Sequence, residues 1–237
     1  MLKAGILSPD GFKVGDDGTP QGSIVSPILS NIFSHYAIDI WIRGEMNKIT
    51  NGNIYAIKYA DDIVIWTDKK SAPKVIEMLK KRMERFSLTI NEDKTKNISF
   101  SIRDSYRGIK QSTFNFLGFT FYLGKSRKDK WIVKLKTAKK VFTKKLREFK
   151  EWCRSNRSRS RLKHLWETFK SKMRGHINYY GVSHNYESVS KFVYQATHTF
   201  IKWLNRRSQR KTFNWDKFKL YEKTNPLPQV KIAHRLF

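Results

Sequence analysis

From Ile54 to Thr67 the chain reads Ile-Tyr-Ala-Ile-Lys-Tyr-Ala-Asp-Asp-Ile-Val-Ile-Trp-Thr. β-branched and aromatic residues crowd both halves of this run, and two adjacent acids divide it. The pattern predicts an antiparallel hairpin with Asp61 and Asp62 at its turn. The flanking segments read as helices. Ser26-Pro27 opens the first, since serine caps free N–H groups and proline suits the first helical turn. Ile28, Leu29, Ile32, Phe33, Tyr36 and Ile40 follow at helical spacing as its apolar stripe. A second helix is predicted over 71–86, with Ile76, Leu79, Met83 and Phe86 turned inward. Residues 8–23 are rich in Gly, Pro, Asp and Ser and read as a hairpin or loop.

A short strand is expected at Ser87–Ile90, leading into Asn91–Thr95. Residues 113–123 and 131–136 read as two strands around the polar turn Gly124–Lys130. Beyond them the apolar period changes to that of a helix. Ala138, Phe142, Leu146, Phe149 and Cys153 form a stripe over 137–153. Leu162, Leu165, Trp166, Phe169, Met173 and Ile177 do so over 160–180. Val189, Phe192, Ala196, Phe200 and Trp203 do so over 186–207. Three amphipathic helices make a small bundle. Ser155–Arg161 is a Ser/Arg-biased loop expected to be mobile without a ligand. The fold class is therefore α+β: an antiparallel sheet with helices over 1–123, then an all-α three-helix bundle over 124–237.

Charge separates the same two regions. The 237 residues hold 48 Lys and Arg against 20 Asp and Glu, a net +28, and the mean hydropathy is −0.61. Residues 1–123 carry 17 basic and 13 acidic side chains, whereas 124–237 carry 31 and 7. So large an excess repels itself unless a polyanion offsets it. Nucleic acid is the first candidate, because basic side chains displace condensed counterions from phosphates; a membrane surface ranks second. The single cysteine, Cys153, excludes an internal disulfide and a Cys-rich zinc site, and it is expected to pack in a helix. A reducing, cytoplasmic compartment fits. The sequence has no run of about 18 apolar residues that would span a membrane, and the N-terminal stretch is too short and broken for a secretion signal. The six histidines lack metal-ligand spacing, and His176 and His184 read as packing or RNA-facing residues.

Two carboxylates side by side are costly unless a cation sits between them, and Mg²⁺ prefers such oxygen ligands and shares its shell with phosphates. By itself the Asp61-Asp62 pair is an Asp-rich turn. Three other segments change its meaning. Tyr59-Ala60-Asp61-Asp62 resembles the palm motif of reverse transcriptases. Upstream, Gly18-Thr19-Pro20-Gln21-Gly22-Ser23, continuing to Ser30-Asn31, resembles their nucleotide-pocket motif. Downstream, Leu88–Thr95 is similar to the lysine-bearing palm motif, and Phe114-Asn115-Phe116-Leu117-Gly118-Phe119 to the primer grip. The wording is closest to group II intron enzymes. Arg174-Gly175-His176-Ile177-Asn178-Tyr179-Tyr180 and Trp203–Lys211 resemble the maturase-specific thumb, or X domain.

This resemblance implies a partial reverse transcriptase palm over 1–123 and a maturase thumb over 124–237. It implies RNA-directed DNA synthesis by two Mg²⁺ ions, with Asp61 binding both metals and Asp62 supporting them. Gln21, Gly22 and Tyr59 would line the dNTP pocket, and Lys94 would sit near the leaving pyrophosphate. Arg174, Arg206, Arg207, Arg210 and Lys211 would contact RNA. The family's further metal-binding Asp lies on an earlier strand; Asp10, Asp16 and Asp17 lie in turns, and Asp39 is expected to face solvent. The chain alone is therefore expected to be inactive, with an N-terminal half supplied in trans. The partners implied are intron RNA, primer-template and dNTP, with no membrane. No Cys and His pairs of an appended endonuclease are found. The competing function is a maturase-like RNA-binding module that assists intron splicing without polymerase chemistry. A decayed, poorly folded remnant is a third reading.

Overall fold

The computed structural model describes residues 6–8, 11–13, 24–207 and 214–236. The chain is α+β and divides into two compact units, Met1–Ser99 and Phe100–Phe237. The division expected at 123/124 falls inside a β-hairpin that pairs from Phe119↔Thr137 to Lys125↔Trp131. At Ser99/Phe100 the charge separates further: 14 basic and 12 acidic residues lie before it, 34 and 8 after it.

In the first unit, β1 (Ile6–Ser8) pairs antiparallel with β2 (Gly11–Lys13). The remaining residues of the expected 8–23 turn region lie outside the described residues. Helix α1 (Ser26–Ser34) starts as expected with Pro27 in its first turn, although Val25 holds the N-cap position. It runs on through two π-helical stretches, His35–Asp39 and Ile42–Met46, into α2 (Asn47–Ile49). Strands β3 (Ile54–Tyr59) and β4 (Asp62–Thr67) form the predicted hairpin, and α3 (Ala72–Arg85) the predicted second helix. Ile54, Ile63 and Ile65 on one face of the hairpin pack with Ala37, Ile38, Trp41, Ile42, Met46, Val75 and Met83.

The stripe expected to be buried on the first helix is not the buried one. Ile28, Ile32, Phe33, Tyr36 and Ile40 are exposed, and the neighbouring Ala37, Ile38, Trp41, Ile42 and Met46 form the core. This helix is apolar on two sides, so spacing alone finds an apolar face without saying which face is covered. Its π-helical stretch is held by Arg82 of α3, whose guanidinium donates to the carbonyls of Tyr36 and Ala37 at 3.1 and 3.0 Å. The segment Ser87–Ile90 is not a strand either. The N–H of Leu88 returns to the Met83 carbonyl at 2.9 Å with Ser87 at φ +54°, a Schellman closure of α3.

The second unit begins with α4 (Ile102–Tyr106) and a three-stranded antiparallel sheet, β5 (Phe114–Phe116), β6 (Phe119–Lys125) and β7 (Trp131–Thr137). The run read as one strand over 113–123 is folded in two at Leu117-Gly118, both at positive φ (50° and 80°). Helices α5 (Lys139–Asn156), α6 (Leu162–Tyr180) and α7 (Tyr186–Leu204) are the three predicted, and α8 (Trp215–Thr224) adds a fourth. The predicted stripes meet in one core of Phe149, Cys153, Leu165, Trp166, Phe169, Met173, Phe192, Ala196, Phe200 and Trp203. Phe169 and Phe200 stack at 4.6 Å, and Phe218 of α8 closes edge-on over Trp166.

Sheet and bundle are joined by one buried polar residue. Asn185, fully buried, accepts from the Thr137 N–H at 2.8 Å and donates to the Tyr180 carbonyl at 2.8 Å and to Thr137 Oγ1 at 2.9 Å. It satisfies the end of β7 and of α6 at once, and α5 starts directly from that point.

Candidate functional site

The carboxylate pair is set by the hairpin register. Tyr59 faces Asp62 in the last rung of the ladder, which leaves Ala60 and Asp61 as a two-residue turn. Asp61 therefore sits in the turn and Asp62 opens β4, so the turn falls one residue earlier than the sequence pattern indicates. So tight a connection needs left-handed backbone to match the strand twist, and Ala60 supplies it at φ +51°. An L-residue held there costs about 1–2 kcal/mol, and such strain gathers at functional turns. Both aspartates and Tyr59 are exposed. Although the chain holds 48 basic residues, neither aspartate is paired with any of them among the described residues.

Alternation along the hairpin makes its two faces different. Tyr55, Ile57 and Tyr59 on β3 and Trp66 on β4 stand on the outer face with Asp62, and each of these four is more than 60% exposed. The inner face carries one charge, Lys58, three residues before Asp61. Its ammonium is largely buried and donates to Ser34 Oγ at 2.8 Å and to Asp39 Oδ2 at 2.9 Å. The His35 ring lies 3.2 Å from the same carboxylate oxygen. Asp39 thus does not face solvent freely, as its late helical position indicates; it anchors β3 to the helix. Burial alone raises its carboxyl, but the hydrogen bonds and charge of Lys58 and His35 outweigh this and hold it below the ordinary value. The signal for this anchor was in the sequence: Lys58 shares strand parity with Ile54 and Ala56.

Lys94 is exposed in a turn, its own N–H bonded to Asn91, and it forms no ion pair with Asp61 or Asp62. Gln21 and Gly22 lie outside the described residues, as do Arg210 and Lys211. In the second unit two of the recognised motifs meet. The Tyr179 hydroxyl donates to the Leu117 carbonyl at 3.2 Å, and Phe119 stacks on Tyr179 and tilts against Tyr180. A Cβ at Gly118 would stand 3.1 Å from the Tyr180 hydroxyl, a tight contact added to the strain that any side chain would meet at its φ of +80°. The Phe-Leu-Gly-Phe turn is thus seated on the Asn-Tyr-Tyr end of α6. His176 in the same motif is buried and stacks on Phe192 at 3.7 Å, a packing residue. His184 is exposed at φ +68°.

Arg174 lies on the outer face of α6 and lines a cleft of about 530 Å³ with Lys170, Asn178, Gln229 and Lys231. Arg206 and Arg207 follow the end of α7. Exposed aromatic rings accompany these cations. Tyr194 and His198 stand on the outer side of α7 with ring centres 4.2 Å apart, and Trp215 lies 4.4 Å beyond His198. No helix is expected at Trp215 from the sequence, so this ladder becomes visible only in the structure.

Residues 7–121 match the family model for reverse transcriptase (RNA-dependent DNA polymerase). That segment, just under half of the chain, is similar to reverse transcriptase domains. It runs from β1 to β6 and contains both the Asp61-Asp62 hairpin and the Phe-Leu-Gly-Phe turn. No curated protein matches the chain, and no solved structure does. Reverse transcriptase domains act on nucleic acid templates with a divalent metal. The hard carboxylate oxygens of Asp61 and Asp62, adjacent and without a cationic partner among the described residues, fit such an ion. Among the described residues no third His, Cys, Asp or Glu joins them in a group able to hold a metal.

Proposed function

We propose that this chain is an RNA-directed DNA polymerase of the group II intron type whose metal site is completed by a carboxylate from outside the Asp61-Asp62 hairpin, with the helical unit gripping intron RNA. The observation that carries this reading is the pair of unneutralised aspartates at the turn of the matched domain. Asp61 and Asp62 would hold Mg²⁺, which when bound would lower the pKa of the primer hydroxyl and offset the charge of the leaving pyrophosphate. Tyr59, Gln21 and Gly22 contact the dNTP, and Lys94 neutralises or protonates the pyrophosphate. Primer extension on an RNA template, with the N-terminal part of a related enzyme supplied in trans, tests it. Extension that appears only with that addition and is lost in Asp61→Ala is the expected result. Extension by the chain alone would mean that another of its carboxylates completes the site. No extension under either condition removes the polymerase reading.

A second reading, an RNA-binding maturase-like module that assists splicing without polymerase chemistry, is favoured by the second unit. That unit carries 34 basic and 8 acidic residues and closes its own core. Exposed aromatics among cations suit phosphate contact with base stacking. Intron RNA binding that is steeply salt-dependent and indifferent to Asp61→Ala, without extension in any combination, selects it.

A further inference from the structure

Two guanidiniums share one indole at the end of the bundle where α5 and α7 terminate. Arg157, the C-cap of α5, lies 5.0 Å from the centre of the Trp203 ring, and Arg206, just past α7, lies 4.9 Å from it. The indole is buried at its root in the core, 8% exposed, so it is a fixed platform. A neighbouring contact ties the loop down: Arg207 donates to the Ser160 carbonyl at 3.0 Å. Arg159 and Arg161 flank that serine, and Arg154 lies one helical turn before Arg157.

Cation–π contact and two helix C-termini account for part of this arrangement. A guanidinium is attracted to an indole face, and each helix end contributes about half a negative charge. The remainder is unbalanced. Of these six arginines only Arg154 has an acidic partner among the described residues, Glu151 at 3.5 Å. Because both guanidiniums contact the same ring, their charges lie within about 10 Å of each other, no farther than the screening length at 0.1 M salt. Folding thus holds like charges together in fork-shaped donors with no carboxylate partner for either among the described residues. Such geometry matches the oxygens of a phosphodiester.

We propose that Arg157 and Arg206, held on Trp203 and flanked by Arg207, form a phosphate clamp for the backbone of structured RNA. The proposal rests on the RNA-binding reading given above and adds to it a site that includes the α5–α6 loop. Two neighbouring phosphates of one strand, one at each fork, neutralise both, and the loop at 157–161, tied by Arg207 to the end of α7, lies against them. Trp203 serves as a positioning residue, fixing both forks without touching the RNA.

The test is a salt titration of the full chain binding an RNA hairpin, followed by anisotropy. The slope of log affinity against log salt should fall by about 1.5–2 in Arg157→Gln/Arg206→Gln, with affinity at 0.1 M salt lower by about a hundredfold. A control, Lys128→Gln/Lys130→Gln, removes the same charge from the exposed β6–β7 turn and should change the slope by less than half as much. Arg157→Lys/Arg206→Lys keeps the charge but loses the fork; it should keep the slope and lose about tenfold in affinity. Equal effects of the clamp and control pairs, with wild type binding normally, overturn the clamp and leave the RNA reading standing. Wild type that fails to bind RNA overturns both. Loss of binding to anionic phospholipid vesicles, with RNA binding unchanged in the clamp variant, reassigns the site to a membrane and overturns the proposal.

Discussion

Three residues show how local chemistry is committed to the fold. The His176 ring is buried against Phe192 and Tyr180, and its Nε2 has no hydrogen-bond partner among the described residues. Burial, reinforced by the charge of Lys145, lowers its pKa from the ordinary 6.5 to about 4. Between those two values the unfolded chain binds a proton that the folded chain refuses. The stabilisation is therefore complete above pH 6.5, declines as pH falls towards 4, and falls no further below that. The loss amounts to about 3 kcal/mol at most. Urea midpoints measured at pH 7.5 and 4.5 should differ clearly in wild type and by much less in His176→Phe; an undiminished difference assigns the effect to other groups. Ala60 is the second case. Glycine in its place relieves the left-handed strain but loses more freedom on folding, so Ala60→Gly should stabilise by about 0.5–1 kcal/mol. A lower melting temperature for that variant would falsify the claim that Ala60 is strained. Cys153 follows the same logic: burial pushes its thiol up to about 12, so it should resist alkylation until the bundle opens.

At the scale of elements, Asn185 is the buried polar link between the ends of β7 and α6 at the start of α7. Asn185→Ala leaves the Thr137 N–H and the Tyr180 carbonyl buried without that partner, at a cost of about 3 kcal/mol. Chemical denaturation should register the loss in full, while RNA affinity of the folded fraction is unchanged. Nothing in the sequence marks this asparagine: it follows a histidine in a short loop, and its partners lie 48 residues away and at the end of α6. The helices themselves were legible, because Leu165, Phe169, Met173 and Ile177 repeat at helical spacing and all are buried. The hairpin was legible because β-branched and aromatic residues flank two acids. The β5–β6 turn was not, because Leu117 in left-handed backbone hides a break that glycine or asparagine on both sides would have announced. The inner face of the first helix was misread because two apolar stripes compete, and a partner element, not periodicity, chooses between them. The same limit applies to the site. The carboxylate pair is written in the sequence, whereas the Arg157–Trp203–Arg206 contact joins residues 46 and 3 positions apart and needs the bundle to form.

The whole molecule combines two units of opposite character. Residues 100–237 contain a self-contained aromatic core and nearly all of the charge excess. Residues 1–99 are almost neutral and expose two apolar surfaces: Ile28, Ile32, Tyr36 and Ile40 on the first helix, and Tyr55, Ile57, Tyr59 and Trp66 on the hairpin. Exposed patches of that extent are rare on proteins that stay monomeric and mark surfaces that bind or aggregate. The two units should therefore separate cleanly in experiment. Residues 100–237 expressed alone should melt cooperatively and keep the salt slope of the full chain on RNA, since 34 of the 48 basic side chains travel with them. Residues 1–99 alone should self-associate, as judged by sedimentation, and their association should weaken when Ile32→Lys and Trp66→Lys place charge on the two faces. If instead the first unit is monomeric and the second loses most of its RNA affinity, binding is shared across the chain. In that case the charge map, which assigns it to the helices, is misleading about where the polyanion sits.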